Sequence, residues 1–305
     1  MSSRTPIPAV IAALAANVGI AIAKLIGFLL TGSSSMLAES VHSAVDTVNE
    51  LLLLLGRKAA ARVATLEHPF GYGRDRYFYS FVVALLLFTL GAAFSVYEGV
   101  HKIINPAPVD APVVAFAILV VAMLLEAFSF RTAIAESRPL KGDDSWWRFI
   151  RTSKVPELSV VLLEDFGALV GLVLALVGVG LSVFTGDPVW DGVGTVGIGA
   201  LLGVIAAVLI VKMKSLLIGE GAGQTILDTI TSALTAGRVE RVIHLRTQYL
   251  SPDELLVAAK IAFPPGLPVE DVACAIDEAE LRIRTAVPAT KVMIYLEPDL
   301  DRSRS

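Results

Sequence analysis

The chain has 305 residues, 55% of them hydrophobic and 18% charged, with a formal net charge of −4 and a mean hydropathy of +0.71. That balance excludes a water-soluble protein throughout, and the small negative charge gives no electrostatic footprint for nucleic acid. A single cysteine, Cys274, excludes an internal disulfide and any thiolate metal cluster within one chain.

The apolar residues are concentrated in six stretches, 7–30, 35–56, 78–101, 111–130, 158–184 and 193–211. Each reaches the roughly 20 residues that a spanning helix needs. The predicted fold is an α-helical membrane protein with six transmembrane helices, a transport domain over 1–212, and a small C-terminal α+β domain over 213–305. The first span starts almost at Met1, is long and has no small-residue cleavage site, so it reads as retained rather than as a signal peptide. Arg57, Lys58, Arg62, Arg74 and Arg76 follow the second span. Arg131, Arg138, Lys141, Arg148, Arg151 and Lys154 follow the fourth, and Lys212 and Lys214 the sixth. The opposite side has Lys102 with Asp110, Asp187 and Asp191. Both termini are therefore expected in the cytoplasm.

In the first span Asn17 and Lys24 lie seven residues apart and near one helical face. Lys24, close to the outer end, is expected to snorkel. The short TGSS connection that follows leaves room only for a hairpin. The second span, LAESVHSAVDTVNELLLLL, places His42, Asp46 and Asn49 at i, i+4 and i+7, on one face. An Asp at the bilayer centre costs about 2.5 to 3.5 kcal/mol on insertion scales, so these residues read as half of a metal site. The plainer alternative is a helix-packing hydrogen bond from His42.

The next loop, RKAAARVATLEHPFGYGRDRYFYS, contains Glu67 and His68 as weak candidates to receive a metal. The favoured alternative is that His68 and Tyr72 only fold the loop. Glu126 in the fourth span is a second-rank candidate, paired with Arg131 or with a base on another helix. The polar segment 131–156 reads as a turn at 141–144 with Trp146 and Trp147 as an interfacial anchor. The fifth span carries Glu164 and Asp165, and adjacent helical residues point about 100° apart. Asp165 is assigned to face the second span as a ligand, with Glu164 a further ligand or a proton carrier.

From 215 onward the pattern is helix (225–235), strands (239–249 and 255–263), helix (269–286) and strand (291–297), an α-β-β-α-β order that is ferredoxin- or metallochaperone-like. So small a core gains from pairing with a second copy, which predicts a homodimer.

SSSMLAESVHSAVDTVNE, HPFGYGRDRYFYS, the EGV after the third span and the order of the domains resemble the cation diffusion facilitator family of divalent-metal/proton antiporters. The resemblance covers nearly the whole chain and implies export of a divalent cation from the cytoplasm in exchange for protons. The family's HxxxD is His42 and Asp46. Its fifth-span motif, His or Asp followed four residues later by Asp, retains Asp165 but has Val161 at the earlier position. The Glu164 and Asp165 pair, Asn49 and the LLIGEGA linker instead resemble the subgroup that includes a mammalian organellar zinc transporter.

The implied metal ligands are His42, Asp46 and Asp165, with Asn49 and Glu164 as further members. A donor set of imidazole, carboxylates and an amide suits Zn²⁺ first, and also Mn²⁺, Fe²⁺ or Co²⁺. No catalytic residue and no cofactor are expected; the metal is cargo. The expected partners are metal cations, protons, the lipid bilayer and a second copy, with no nucleic acid, in the inner (plasma) membrane. A non-transporting metal sensor or assembly protein on the same scaffold is the alternative. In the C-terminal domain His244, Lys260, Tyr295 and Glu297 are too sparse a set to predict a second metal centre. No HExxH or serine elbow points to an enzyme.

Overall fold

A computed structural model describes residues 7–300 apart from 289, with side chains described from Asn17 onward. The chain divides into two compact units. The first holds residues up to Lys58 and Arg76–Lys214, the second Ala59–Asp75 and Ser215 onward.

The first unit is built from α1 (Ile7–Thr31), α2 (Ser34–Ala60), α3 (Asp75–Leu86), a π-helical segment (Leu87–Ala93), α4 (Phe94–Ile104), α5 (Pro112–Lys141), the short α6 (Trp146–Thr152), α7 (Pro156–Thr185) and α8 (Val189–Ile218). The continuous run 75–104, α5, α7 and α8 are each 30 residues long and apolar enough to cross a membrane. Six spans were expected; among the described residues these four helices are long and apolar enough, the described part of α1 is a shorter apolar helix, and α2 is 27 residues long but interrupted by polar side chains. Unlike the others, α2 carries Glu39, His42, Asp46, Asn49 and Glu50 within the apolar stretch.

Several helices outrun their predicted spans. A 30-residue helix is about 45 Å long, against a hydrocarbon core of about 30 Å, so a helix need not stop where apolarity does. The fourth span shows this plainly, since α5 continues past Arg131 to Lys141, and a further short helix, α6, contains both tryptophans. Glycine sets the approach of α4 to α8. A Cβ at Gly99 would lie 2.7 Å from the backbone nitrogen of Val196 and 2.8 Å from the carbonyl oxygen of Gly192, so only a bare backbone fits.

Both ends of α2 are tied by charge. At its start the backbone amides of Ser34 and Ser35 donate to the Asp191 carboxylate at 2.9 and 3.4 Å, and the Ser33 hydroxyl adds a bond of 2.9 Å. Lys102 Nζ sits 4.0 Å from Asp191 and donates to the Gly32 carbonyl at 3.0 Å. Hydropathy places Lys102 and Asp191 among the outer-side loop charges, yet both are buried. The first amides of a helix lack intrahelical partners, and here a carboxylate from another helix supplies them. At the far end Arg76 forks onto Glu157 at 2.6 and 2.9 Å, with Arg57 Nε at 3.5 Å.

The second unit contains α9 (Gln224–Thr235), β1 (Arg241–Ser251), β2 (Glu254–Phe263), α10 (Val269–Ala286) and β3 (Lys291–Leu300). This is the expected α-β-β-α-β order. The sheet runs β1-β2-β3, antiparallel then parallel. Alternate residues of β2 (Leu255, Val257, Ala259, Ile261) point into a core with Ile230 and Leu234 of α9 and Ala275, Ala279 and Ile283 of α10. On the other face His244 pairs across from Lys260, whose ammonium holds Glu297 and Asp299 at 2.8 and 3.0 Å. Those hydrogen bonds, to Glu297 and then Asp299, push the Lys260 pKa upward. The loop 59–75 belongs to this unit, where the His68 and Tyr72 rings lie 4.5 Å apart and Arg62 covers Tyr72 at 3.9 Å. His68 therefore packs the loop together.

Candidate metal-transport site

Asp46, Glu50, Glu126, Glu164 and Asp165 all line one cavity of about 140 Å³ inside the helical unit. That is far above the roughly 10–15 Å³ needed for one water, so there is room among the carboxylates for water or an ion. Three helices supply the acids: α2 gives Asp46 and Glu50, α5 gives Glu126, and α7 gives Glu164 and Asp165, while α1 adds Asn17 and Ile20 to the lining. Their periodicity explains the convergence on α2, since 39, 42, 46 and 50 step by three and four and form one stripe.

Each acid has a different restraint. Glu164 accepts the Asn49 amide at 2.6 Å, and Asp165 accepts the Ser129 hydroxyl at 3.1 Å. Glu50 takes the Asn17 amide at 3.0 Å. His42 Nε2 stands 3.6 Å from Asp46 Oδ2, too long for a hydrogen bond. Both ring nitrogens of His42, Asp46 Oδ1, Asn49 Oδ1 and Glu39 Oε1 are buried without a hydrogen-bond partner among the described residues. Unsatisfied donors and acceptors gathered on one stripe of one helix are costly unless something else engages them.

The structure thus brings together Asp46, Glu164 and Asp165, with His42 and Asn49 on the next contacts outward. One orientation differs from expectation. Glu164 is the residue turned toward α2, and Asp165 turns toward α5, because Asn49 and Ser129 select the two faces of α7 that lie about 100° apart. Lys24 also departs from its predicted role. It does not snorkel; it is fully buried against Glu39, Ser43 and Glu126, because the carboxylates facing it outweigh the pull of the interface. Glu39 and Glu50 lie outside the expected ligand set, although their spacing from Asp46 puts them on the same helical stripe. Among the described residues no three His, Cys, Asp or Glu side chains converge closely enough to hold a metal as they stand. The bonds from Asn49 and Ser129 keep the two α7 carboxylates apart.

Comparison with known families fits this order of a helical unit and an α-β-β-α-β unit. The cation efflux transmembrane domain model matches residues 10–218, and the cation efflux protein cytoplasmic domain model matches 223–299. The chain belongs to the cation efflux family. It is a family of transporters, not of enzymes. Among relatives of this cation efflux protein, the mitochondrial proton-coupled zinc antiporter SLC30A9 of Xenopus laevis is 35% identical over 224 residues, or 72% of this chain and 40% of that protein. The human SLC30A9 is 33% identical over the same length, 72% of this chain and 39% of its own. The magnetosome protein MamB of Magnetospirillum gryphiswaldense is 26% identical over 274 residues, 88% of this chain and 86% of that one. This cation efflux protein therefore spans about two fifths of the length of its zinc-antiporter relatives, and most of the length of MamB.

Proposed function

We propose that this chain exports a divalent transition-metal cation from the cytoplasm in exchange for protons, with Zn²⁺ the foremost cargo and Mn²⁺, Fe²⁺ and Co²⁺ next. It acts as a homodimer in the inner (plasma) membrane, with both termini cytoplasmic. The observation that carries the reading is the convergence of Asp46, Glu164 and Asp165 on one cavity, beside a His42 whose ring nitrogens have no hydrogen-bond partner among the described residues. Val161, at the position where the resemblance implies a ligand, lines the same cavity as an apolar wall. Glu164 stands in for it.

The chemistry follows from protonation. Carboxylates and a neutral imidazole bind a metal only after shedding protons, so a metal and protons compete for the same atoms. A cation arriving from the cytoplasm displaces protons from Asp46, Asp165, Glu164 and His42. Protons from a more acidic compartment then displace the cation. Asn49 exchanges its hydrogen bond with Glu164 for an amide-oxygen contact to the ion. Access to the cavity alternates between the two sides around a site within the helical unit.

The test is uptake of Zn²⁺, Mn²⁺, Fe²⁺ and Co²⁺ into proteoliposomes under an imposed pH gradient, for the wild type and Asp46→Ala. Uptake that follows the gradient and disappears in the variant supports antiport and ranks the ions. Intact protein with no gradient-dependent flux of any of the four refutes it and favours the non-transporting sensor.

A further inference from the structure

A buried cation stands beside the acidic cavity. Lys24 Nζ lies 3.0 Å from Glu39 Oε2, 2.7 Å from Ser43 Oγ and 3.9 Å from Glu126 Oε1, with none of its surface exposed. Ser43 and Glu126 both line the cavity. The ammonium therefore shares one carboxylate with the pocket that would receive the metal. Space for the pair is left by α7: a Cβ at Gly171 would fall 2.8 Å from Glu39 Oε1. That oxygen has no hydrogen-bond partner among the described residues.

We propose that Lys24 is a tethered counter-cation that balances the acidic cavity between transport cycles and reserves it for doubly charged ions. The inference rests on the metal-transport reading above. Its physical basis is a competition for Glu126 and for the field of the neighbouring acids. A side chain fixed in place acts at high effective concentration, so a free monovalent ion, carrying the same charge, cannot displace it well. A divalent ion gains twice the Coulomb energy from the same carboxylates and wins the shared Glu126. The fixed positive charge also repels the bound metal, which holds its affinity down and eases release. Lys24 is thus a specificity-determining residue that contacts the carboxylates rather than the ion.

The test uses Zn²⁺ binding to the purified full chain by titration calorimetry, in NaCl or in N-methylglucamine chloride of equal ionic strength, so that screening is the same in both. Wild type and Lys24→Arg should bind with equal affinity in the two salts. Lys24→Gln, which keeps an amide to donate to Glu39 and Ser43 but has no charge, should bind at least about tenfold tighter and become weakened by Na⁺. Wild-type affinity with no Na⁺ effect in Lys24→Gln overturns the role of Lys24 while leaving the transport reading standing. Competition by Na⁺ already in the wild type overturns it too, and needs no variant to fold. A wild type that binds no Zn²⁺ overturns both.

Discussion

Asn49 on α2 donates its amide to Glu164 on α7 over 2.6 Å, while the neighbouring Asp165 faces Ser129 on α5 at 3.1 Å. One amide and one hydroxyl thus divide two adjacent carboxylates between two helix contacts. Glu164→Gln preserves the size and the hydrogen-bonding capacity at this position and removes the charge. Metal binding should weaken by at least about tenfold, or roughly 1.4 kcal/mol, with the unfolding midpoint nearly unchanged. Calorimetric affinity equal to that of wild type would exclude Glu164 from the ligand set.

Asp191 is a stability residue for α2. Its carboxylate takes the Ser34 amide at 2.9 Å and the Ser33 hydroxyl at 2.9 Å, with no exposed surface. Asp191→Ala takes the acceptor from that buried amide and hydroxyl and should destabilise by about 3 kcal/mol. Thermal unfolding in detergent reads this directly, and an unshifted midpoint would mean the start of α2 finds other acceptors. Asp191→Asn should fall between the two.

The fork from Arg76 to Glu157, at 2.6 and 2.9 Å, joins the starts of α3 and α7, and its side chains are only 14% and 6% exposed. Glu157→Ala removes the carboxylate that both nitrogens donate to, at an expected cost of about 3 kcal/mol. The pair of Arg62 and Asp75 is as short at 2.8 Å, but Arg62 is 57% exposed. Asp75→Ala should cost no more than about 1 kcal/mol. Equal losses in chemical unfolding of the two variants would contradict this ranking by burial.

Gly99→Ala tests the approach of α4 to α8. The added methyl meets backbone at 2.7 and 2.8 Å, which a rotamer change cannot relieve. We expect a loss of about 1 to 3 kcal/mol. Gly19, where an added Cβ meets nothing within 4 Å, should accept alanine without a loss of stability. If both variants melt alike, the close packing read from the helix pair is wrong.

Long apolar runs and their polar interruptions were legible because they are local. Apolar stretches of the right length set the six helices, and alternation along 255–261 set a strand with one buried face. The stripe of His42, Asp46 and Asn49 followed from helical period alone. The ends of α5 and the existence of α6 were not legible, since hydropathy reports where a helix leaves lipid and not where its hydrogen bonds stop. Lys24 and Asp191 were misplaced for a related reason. A charge near a predicted span end is drawn to water unless another helix offers a partner, and that partner lies outside any sequence window.

By itself, then, the sequence determined that this is a membrane protein with six long helices, that α2 and α7 bear its acids, and that an α-β-β-α-β domain follows. These depend on period and composition within one segment. Only the tertiary structure decided that Glu164 turns to α2 and Asp165 to α5, that Glu126 joins the cavity, and that Lys24 sits buried among carboxylates. Helical geometry fixes the angle between neighbouring side chains, but the rotation of a helix about its axis is set by what the other helices present to it.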